Sequence, residues 1–163
     1  MKDLVELICV SPNIILDIRY ATANNFTGRA VYPSSRCFLL RRTAERLHRV
    51  QLALEKRGMG LQVFDGYRPP EVQKIFWELM PDPRYVADPA VGSKHNRGSA
   101  VDLTLAGRLM PTDFDDFSGR ASHSYQGGSQ ETLENRELLR RAMAAEGFLP
   151  YEPEWWHYDD PDF

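Results

Sequence analysis

Two segments hold the residue types that could do chemistry. Ser93-Lys94-His95-Asn96-Arg97-Gly98-Ser99-Ala100-Val101-Asp102 carries a histidine and an aspartate, and Glu154-Trp155-Trp156-His157 adds a second histidine preceded by a carboxylate. A catalytic zinc takes three protein ligands from His and Asp/Glu and keeps one position open for water. His95, Asp102 and His157 supply that count with suitable donor atoms, which leaves Glu154 as the base. Zinc lowers the pKa of bound water from about 15.7 to about 7, and a carboxylate within hydrogen-bond reach can take its proton and pass it to a leaving amine. The ligands lie in distant segments, unlike a helical H-E-x-x-H pair, so the fold must assemble them. Spacing alone also allows a plainer reading: a solvated loop acid at Asp102, a surface histidine at His95, and His157 packed against two tryptophans.

Ser93-x-His95-x-x-Gly98-x-Ala100-x-Asp102 followed by Glu154-x-x-His157 resembles the signature of the D-alanyl-D-alanine metallopeptidases, a superfamily that includes lysostaphin-type enzymes and the hedgehog signalling domain. Four further segments are similar to the VanX-type D-Ala-D-Ala dipeptidases: Asp17 to Gly28, Asp65-Gly66-Tyr67-Arg68-Pro69, Gly98 to Leu105, and Glu154-Trp155-Trp156-His157-Tyr158. They run in the family's order and span most of the chain. The resemblance implies a small, mostly antiparallel central sheet flanked by helices and one Zn2+ held by His95, Asp102 and His157. It also implies cleavage of D-alanyl-D-alanine to two D-alanines, and it gives Arg68 the task of steadying charge on the scissile carbonyl oxygen. A permanently charged donor suits an oxyanion. Read without the resemblance, Arg68 is a structural partner of Asp65 or Asp102.

The same comparison directs attention to the substrate. A free dipeptide presents an ammonium and a carboxylate, and a site selective for both ends must bury groups that longer peptides would leave unpaired. Ser93 is the candidate for the carboxylate end, with a turn-capping role as its alternative. Tyr20, in the segment running to Gly28, is assigned to the pocket rim, and Asp102 and Glu154 can attract the ammonium. His48 lies mid-helix among arginines and is set aside as a ligand. His123 reads as a residue that orders its loop or supports a ligand. Trp155, Trp156 and Tyr158 read as core and pocket wall.

Composition agrees with a small enzyme. The 163 residues suit a single domain, 1–163, large enough to bury a core. A net charge of -3 with interspersed signs offers no basic face for nucleic acid or anionic lipid. No apolar run of eighteen residues occurs, and Met1 to Leu7 carries charges where a signal peptide would have its apolar core, so the expected location is cytoplasmic. Cys9 and Cys37 lack C-x-x-C spacing and read as reduced, half-buried thiols. Nothing in the sequence sets an oligomeric state.

These residues need elements to position them, and the pattern is α+β. Strands are expected at Asn13 to Tyr20, Leu61 to Phe64, Ala100 to Leu105 and Trp155 to Tyr158, and helices at Arg36 to Arg57, from the turn Asp65 to Pro70 through Met80, and at Glu131 to Glu146. Gly58 and Gly147 close two of the helices. Gly107 to Gln130 reads as a long polar excursion. Asp102 shares a strand face with Thr104, which puts a ligand on a rigid element. Glu154 and His157 are three residues apart, so a bend or bulge is needed to aim both at one ion.

Two features depart from the VanX-type pattern. The stretch from the Trp77 helix to Ser93 is shorter, and only six residues follow His157. Either segment could line the mouth of the site, which leaves strict preference for a dipeptide open. The expected activity is zinc-dependent D-Ala-D-Ala dipeptidase. The alternative is a D,D-carboxypeptidase or L,D-endopeptidase acting on peptidoglycan peptides, and a silent zinc-binding domain would have lost Glu154 or Arg68.

Overall fold

A computed structural model describes residues 3–163. In chain order the elements are β1 (Leu4–Glu6), α1 (Leu7–Val10), β2 (Ile15–Leu16), β3 (Phe38–Leu40), α2 (Arg41–Glu55), β4 (Leu61–Asp65), α3 (Pro70–Leu79), β5 (Ala100–Leu105), α4 (Gln130–Ala145), β6 (Leu149–Tyr151) and β7 (Glu154–Asp159). Short 3-10 turns occur at Arg19–Ala21, Lys94–Arg97 and Gly119–Ala121. The main sheet has the order β2-β4-β5-β7-β6, and only its β2–β4 pair is parallel. β1 and β3 form a separate antiparallel pair. The α+β arrangement, with a mostly antiparallel sheet and flanking helices, is the one expected.

β5 is the centre of the sheet, and all six of its residues are buried. Val101, Leu103 and Leu105 belong to the apolar core, while Asp102 turns to the other face, where the candidate site lies. α4 packs against β5, β7 and α2, inserting Leu139 and Met143 into the core. α2 contributes Ala44, Leu47, Val50 and Leu54, a helical stripe of the kind its sequence spacing predicts.

Three local expectations are corrected. Asn13 to Tyr20 holds only a two-residue strand, after which the chain enters the 3-10 turn at Arg19; Ile14, Ile18 and Tyr20 are buried by tertiary packing rather than by strand alternation. The helix expected from Arg36 begins at Arg41, because residues 38–40 pair with β1. Cys9 is exposed and Cys37 fully buried, and neither forms a disulfide.

Two irregularities aim side chains at the site. Val63 pairs with Leu103 and Asp65 with Asp102, so Phe64 is an extra residue on β4 and Asp65 is brought opposite Asp102. On the other side of the sheet, adjacent β6 residues Pro150 and Tyr151 pair with Tyr158 and Glu154. Residues 155–157 therefore bulge from the β6–β7 ladder, as the Glu154/His157 spacing requires.

Candidate metal centre

The turn Asp65-Gly66-Tyr67-Arg68 and the turn Ser93–Arg97 are knitted together by hydrogen bonds. His95 Nδ1 donates to the Gly66 carbonyl at 2.8 Å, the Arg68 N–H donates to the His95 carbonyl at 3.0 Å, and Asn96 Nδ2 donates to the Arg68 carbonyl at 2.9 Å. Gly98 ends the second turn in the left-handed region at φ 76°, and a Cβ there would stand 2.5 Å from Leu4 Cδ2. Ser93 caps the turn by accepting from the His95 N–H, so its alternative capping role is present, and it also lines the cavity.

His95 Nε2, Asp102 Oδ1 and His157 Nδ1 converge. The separations are 3.2 Å for His95–Asp102, 3.0 Å for His157–Asp102 and 3.2 Å for the two ring nitrogens. Among the described residues this is the group of His, Cys, Asp and Glu suited to a metal ion. The second ring nitrogens define the tautomers: His95 Nδ1 faces the Gly66 carbonyl and His157 Nε2 faces Asp159 Oδ1 at 2.9 Å. Each imidazole with its proton on that outer nitrogen turns a lone pair inward, toward the other ring and the carboxylate. Two inward lone pairs and an anion in contact call for a cation between them, so the donor set fits a zinc ion. Burial opposes the charge on Asp102, yet His95 and His157 hold its carboxyl below the usual range. Burial likewise opposes a proton on His157, but Asp102 and Asp159 outweigh it and raise the ring to about 10. The cluster is thus built to hold positive charge.

Glu154 Oε2 lies 3.9 Å from His157 Nδ1, and burial raises its carboxyl well above the ordinary range. Arg68 is 7% exposed. Its Nε and Nη2 donate to Asp65 Oδ2 at 3.1 and 2.8 Å, its Nη1 donates to Gln73 Oε1 at 2.9 Å, and Nη2 stands 3.8 Å from Asp102 Oδ2. The guanidinium also lies over the rings of Phe76 and Tyr20. Both sequence readings of Arg68 therefore have a physical basis: it is paired with Asp65, and it faces the ligand cluster.

Arg68, Ser93, His95, Asp102, Glu154 and His157 border one cavity of about 210 Å3, which Tyr20, Phe26, Tyr85, Asp115, Phe117 and Tyr151 line as well. Tyr20 lines the cavity from within rather than at its rim. It is 2% exposed and donates from its hydroxyl to Asp115 Oδ2 at 2.6 Å. Asp115 escaped the sequence reading. Burial raises its carboxyl to about 8, opposed by the Tyr20 hydrogen bond. The loop before Ser93 does line the mouth, through residues 83–87, and of the segment after His157 only Asp159 does so; beyond it the chain turns away, Asp160 accepting from Thr43 and Phe163 lying under Arg42. His48 bonds Ser11 away from the cluster. His123 orders its loop through a backbone bond to Glu152 and sets its ring against Tyr158, on the sheet face opposite the ligands.

Comparison with known proteins agrees with this geometry. The family described as D-ala-D-ala dipeptidase matches residues 1–163, and the chain belongs to that family of peptidases. An Escherichia coli (strain K12) protein named D-alanyl-D-alanine dipeptidase is 37% identical over 98% of this chain and 85% of its own length. One of the same name from Enterococcus faecalis is 33% identical over 89% of this chain and 86% of its own. Two solved structures share the fold: the LdcB LD-carboxypeptidase, with a TM-score of 0.57, 18% identity and coverage of 98% of this chain and 68% of the other, and VanYB in complex with D-alanine-D-alanine, with 0.54, 20%, 76% and 71%. The chain is a dipeptidase-family enzyme on the hedgehog-like D-Ala-D-Ala peptidase fold.

Proposed function

We propose that this chain hydrolyses the free dipeptide D-alanyl-D-alanine to two D-alanines, using one zinc ion per chain held by His95, Asp102 and His157. The observation that carries the reading is the convergence of those three donors beside Glu154 in a cavity that also holds Asp115. Relatives named for this activity, aligned over nearly the whole chain, support the substrate. When bound, zinc supplies Lewis acidity and lowers the pKa of water.

The side chains divide the remaining work. Glu154 takes the proton of the attacking water and returns it to the leaving amine; its raised carboxyl pKa suits both directions of transfer. Of the five N–H donors on Arg68, three are committed to Asp65 and Gln73, which leaves two for the oxygen on which charge develops. Asp115, steadied by Tyr20, receives the substrate ammonium. Ser93 accepts from the His95 N–H, so its own hydroxyl proton is available to the substrate carboxylate. Cys9 and Cys37 are both free thiols, in keeping with a reducing, cytoplasmic setting.

The test is release of D-alanine from D-Ala-D-Ala and from a muropeptide ending in the same pair, with and without chelator. The expected result is cleavage of the free dipeptide, lost on chelation and restored by zinc. Cleavage of the muropeptide with the dipeptide untouched would replace this reading with a carboxypeptidase.

A further inference from the structure

We infer that Gln73 ties the placement of Arg68 to the wall of the substrate cavity, as a positioning residue for the reaction and, through the wall, a determinant of selectivity for a free dipeptide. The inference rests on the dipeptidase reading above.

Gln73 sits in the first turn of α3 and is 1% exposed. Burying a side-chain amide without partners is costly, so both of its ends should be satisfied. They are, by two different parts of the site: Oε1 accepts from Arg68 Nη1 at 2.9 Å, and Nε2 donates to the Ala87 carbonyl at 2.8 Å. Chemistry leaves no choice of orientation. Turned over, the amide would set NH2 against the guanidinium N–H and oxygen against a carbonyl oxygen.

Ala87 closes the stretch 83–87 that lines the cavity. The far end of that stretch is held by the Tyr151 hydroxyl, which donates to the Arg84 carbonyl at 2.7 Å. Val86, between the two ties, is buried in the core. The wall is thus anchored at Arg84 by β6 and at Ala87 by Gln73, and the second anchor is also the partner of Arg68. A displacement of the wall is felt by the guanidinium through one amide group.

Three substitutions separate the two halves of this role. Gln73→Leu removes both bonds. Gln73→Glu keeps an acceptor for Arg68 but turns oxygen toward the Ala87 carbonyl, releasing the wall. Tyr151→Phe releases the wall at its other anchor. With D-Ala-D-Ala as substrate, Gln73→Leu should lower kcat by about tenfold, the loss of one hydrogen bond to a charged group, with KM changed less, while Gln73→Glu, which keeps an acceptor for Arg68, should lose less. All three should raise kcat/KM for N-acetyl-D-Ala-D-Ala relative to the free dipeptide by about tenfold, since the wall no longer excludes the added group. If Gln73→Leu and Gln73→Glu lower kcat alike and the selectivity ratio stays at the wild-type value, the inference is overturned and Gln73 is only a packing residue. Should Gln73→Leu fail to fold, Gln73→Glu and Tyr151→Phe decide the matter through the ratio alone. A wild-type protein inactive on the free dipeptide would instead overturn the proposed activity and the inference with it, before any variant is compared.

Discussion

The Arg68 N–H donates to the carbonyl of His95 at 3.0 Å, so the arginine proposed for the oxyanion and the first proposed metal ligand are joined through the main chain. Asn96 returns a side-chain bond to the Arg68 carbonyl at 2.9 Å. Neither contact requires an ion. The relative placement of guanidinium and imidazole is therefore part of the fold, and effects on the metal and on the oxyanion can be separated by substitution.

Alanine at His95, Asp102 or His157 should abolish stoichiometric zinc or nearly all turnover, because each supplies one of three donors. His48→Ala should keep both, since His48 bonds Ser11 elsewhere. Metal analysis of the purified variants checks this, and a zinc-replete, fully active His157→Ala protein would sink the site.

Glu154→Gln should retain zinc and lose kcat by about 10²–10⁴, the range for a lost general base. Loss of the metal instead would move Glu154 into the ligand set.

Arg68→Ala should cut kcat by about 10²–10³ with KM changed less. It should also cost about 3–5 kcal/mol of stability, because it leaves the Asp65 carboxylate buried without its partner. Arg68→Lys keeps the charge but lacks the planar fork that meets Asp65 and Gln73 together, so it should restore stability better than turnover. Thermal melts beside steady-state kinetics distinguish the two effects.

Asp115→Asn should raise KM for the dipeptide while raising Tm. Folding lifts the Asp115 carboxyl from 3.8 to about 8, so the native state holds a proton that the unfolded chain releases. Stability therefore falls as pH rises from about 4 to about 8, and the amide variant escapes that loss. Its advantage should be absent near pH 4, grow toward pH 8, and amount to about 2–4 °C per kcal/mol recovered. A variant with unchanged KM and no pH-dependent gain would remove Asp115 from the ammonium site.

The parts of the fold legible in the sequence were those with enough length to show a period. α2, α4 and β5 declare themselves through repeated apolar positions, whereas β1, β3 and β6 have three residues each and carry no period at all. Pro150 within β6 argues against a strand from sequence, and it is accommodated because β6 is the sheet edge. The grouping of His95, Asp102 and His157 beside Glu154 was legible because their residue types are unusual in combination. Asp115 was not, since an aspartate among Asp113 and Asp116 in a polar loop looks solvated. The only local hint was Phe114 and Phe117 flanking those carboxylates; both reach the aromatic cluster, where Phe114 stacks on Phe64 and Phe117 meets Phe26. Gln73 was equally hidden, because its role depends on Ala87 arriving from a loop.

Gly66 sets a limit on how this enzyme can vary. A methyl group at that position would stand 2.7 Å from Cys37 Sγ and 2.9 Å from the Phe38 carbonyl, behind the site rather than in it. To make room the turn would have to move, carrying away the carbonyl that holds the His95 proton on Nδ1. A lesion that alters no proposed ligand would then present as zinc deficiency, and supplying more metal would only partly correct it.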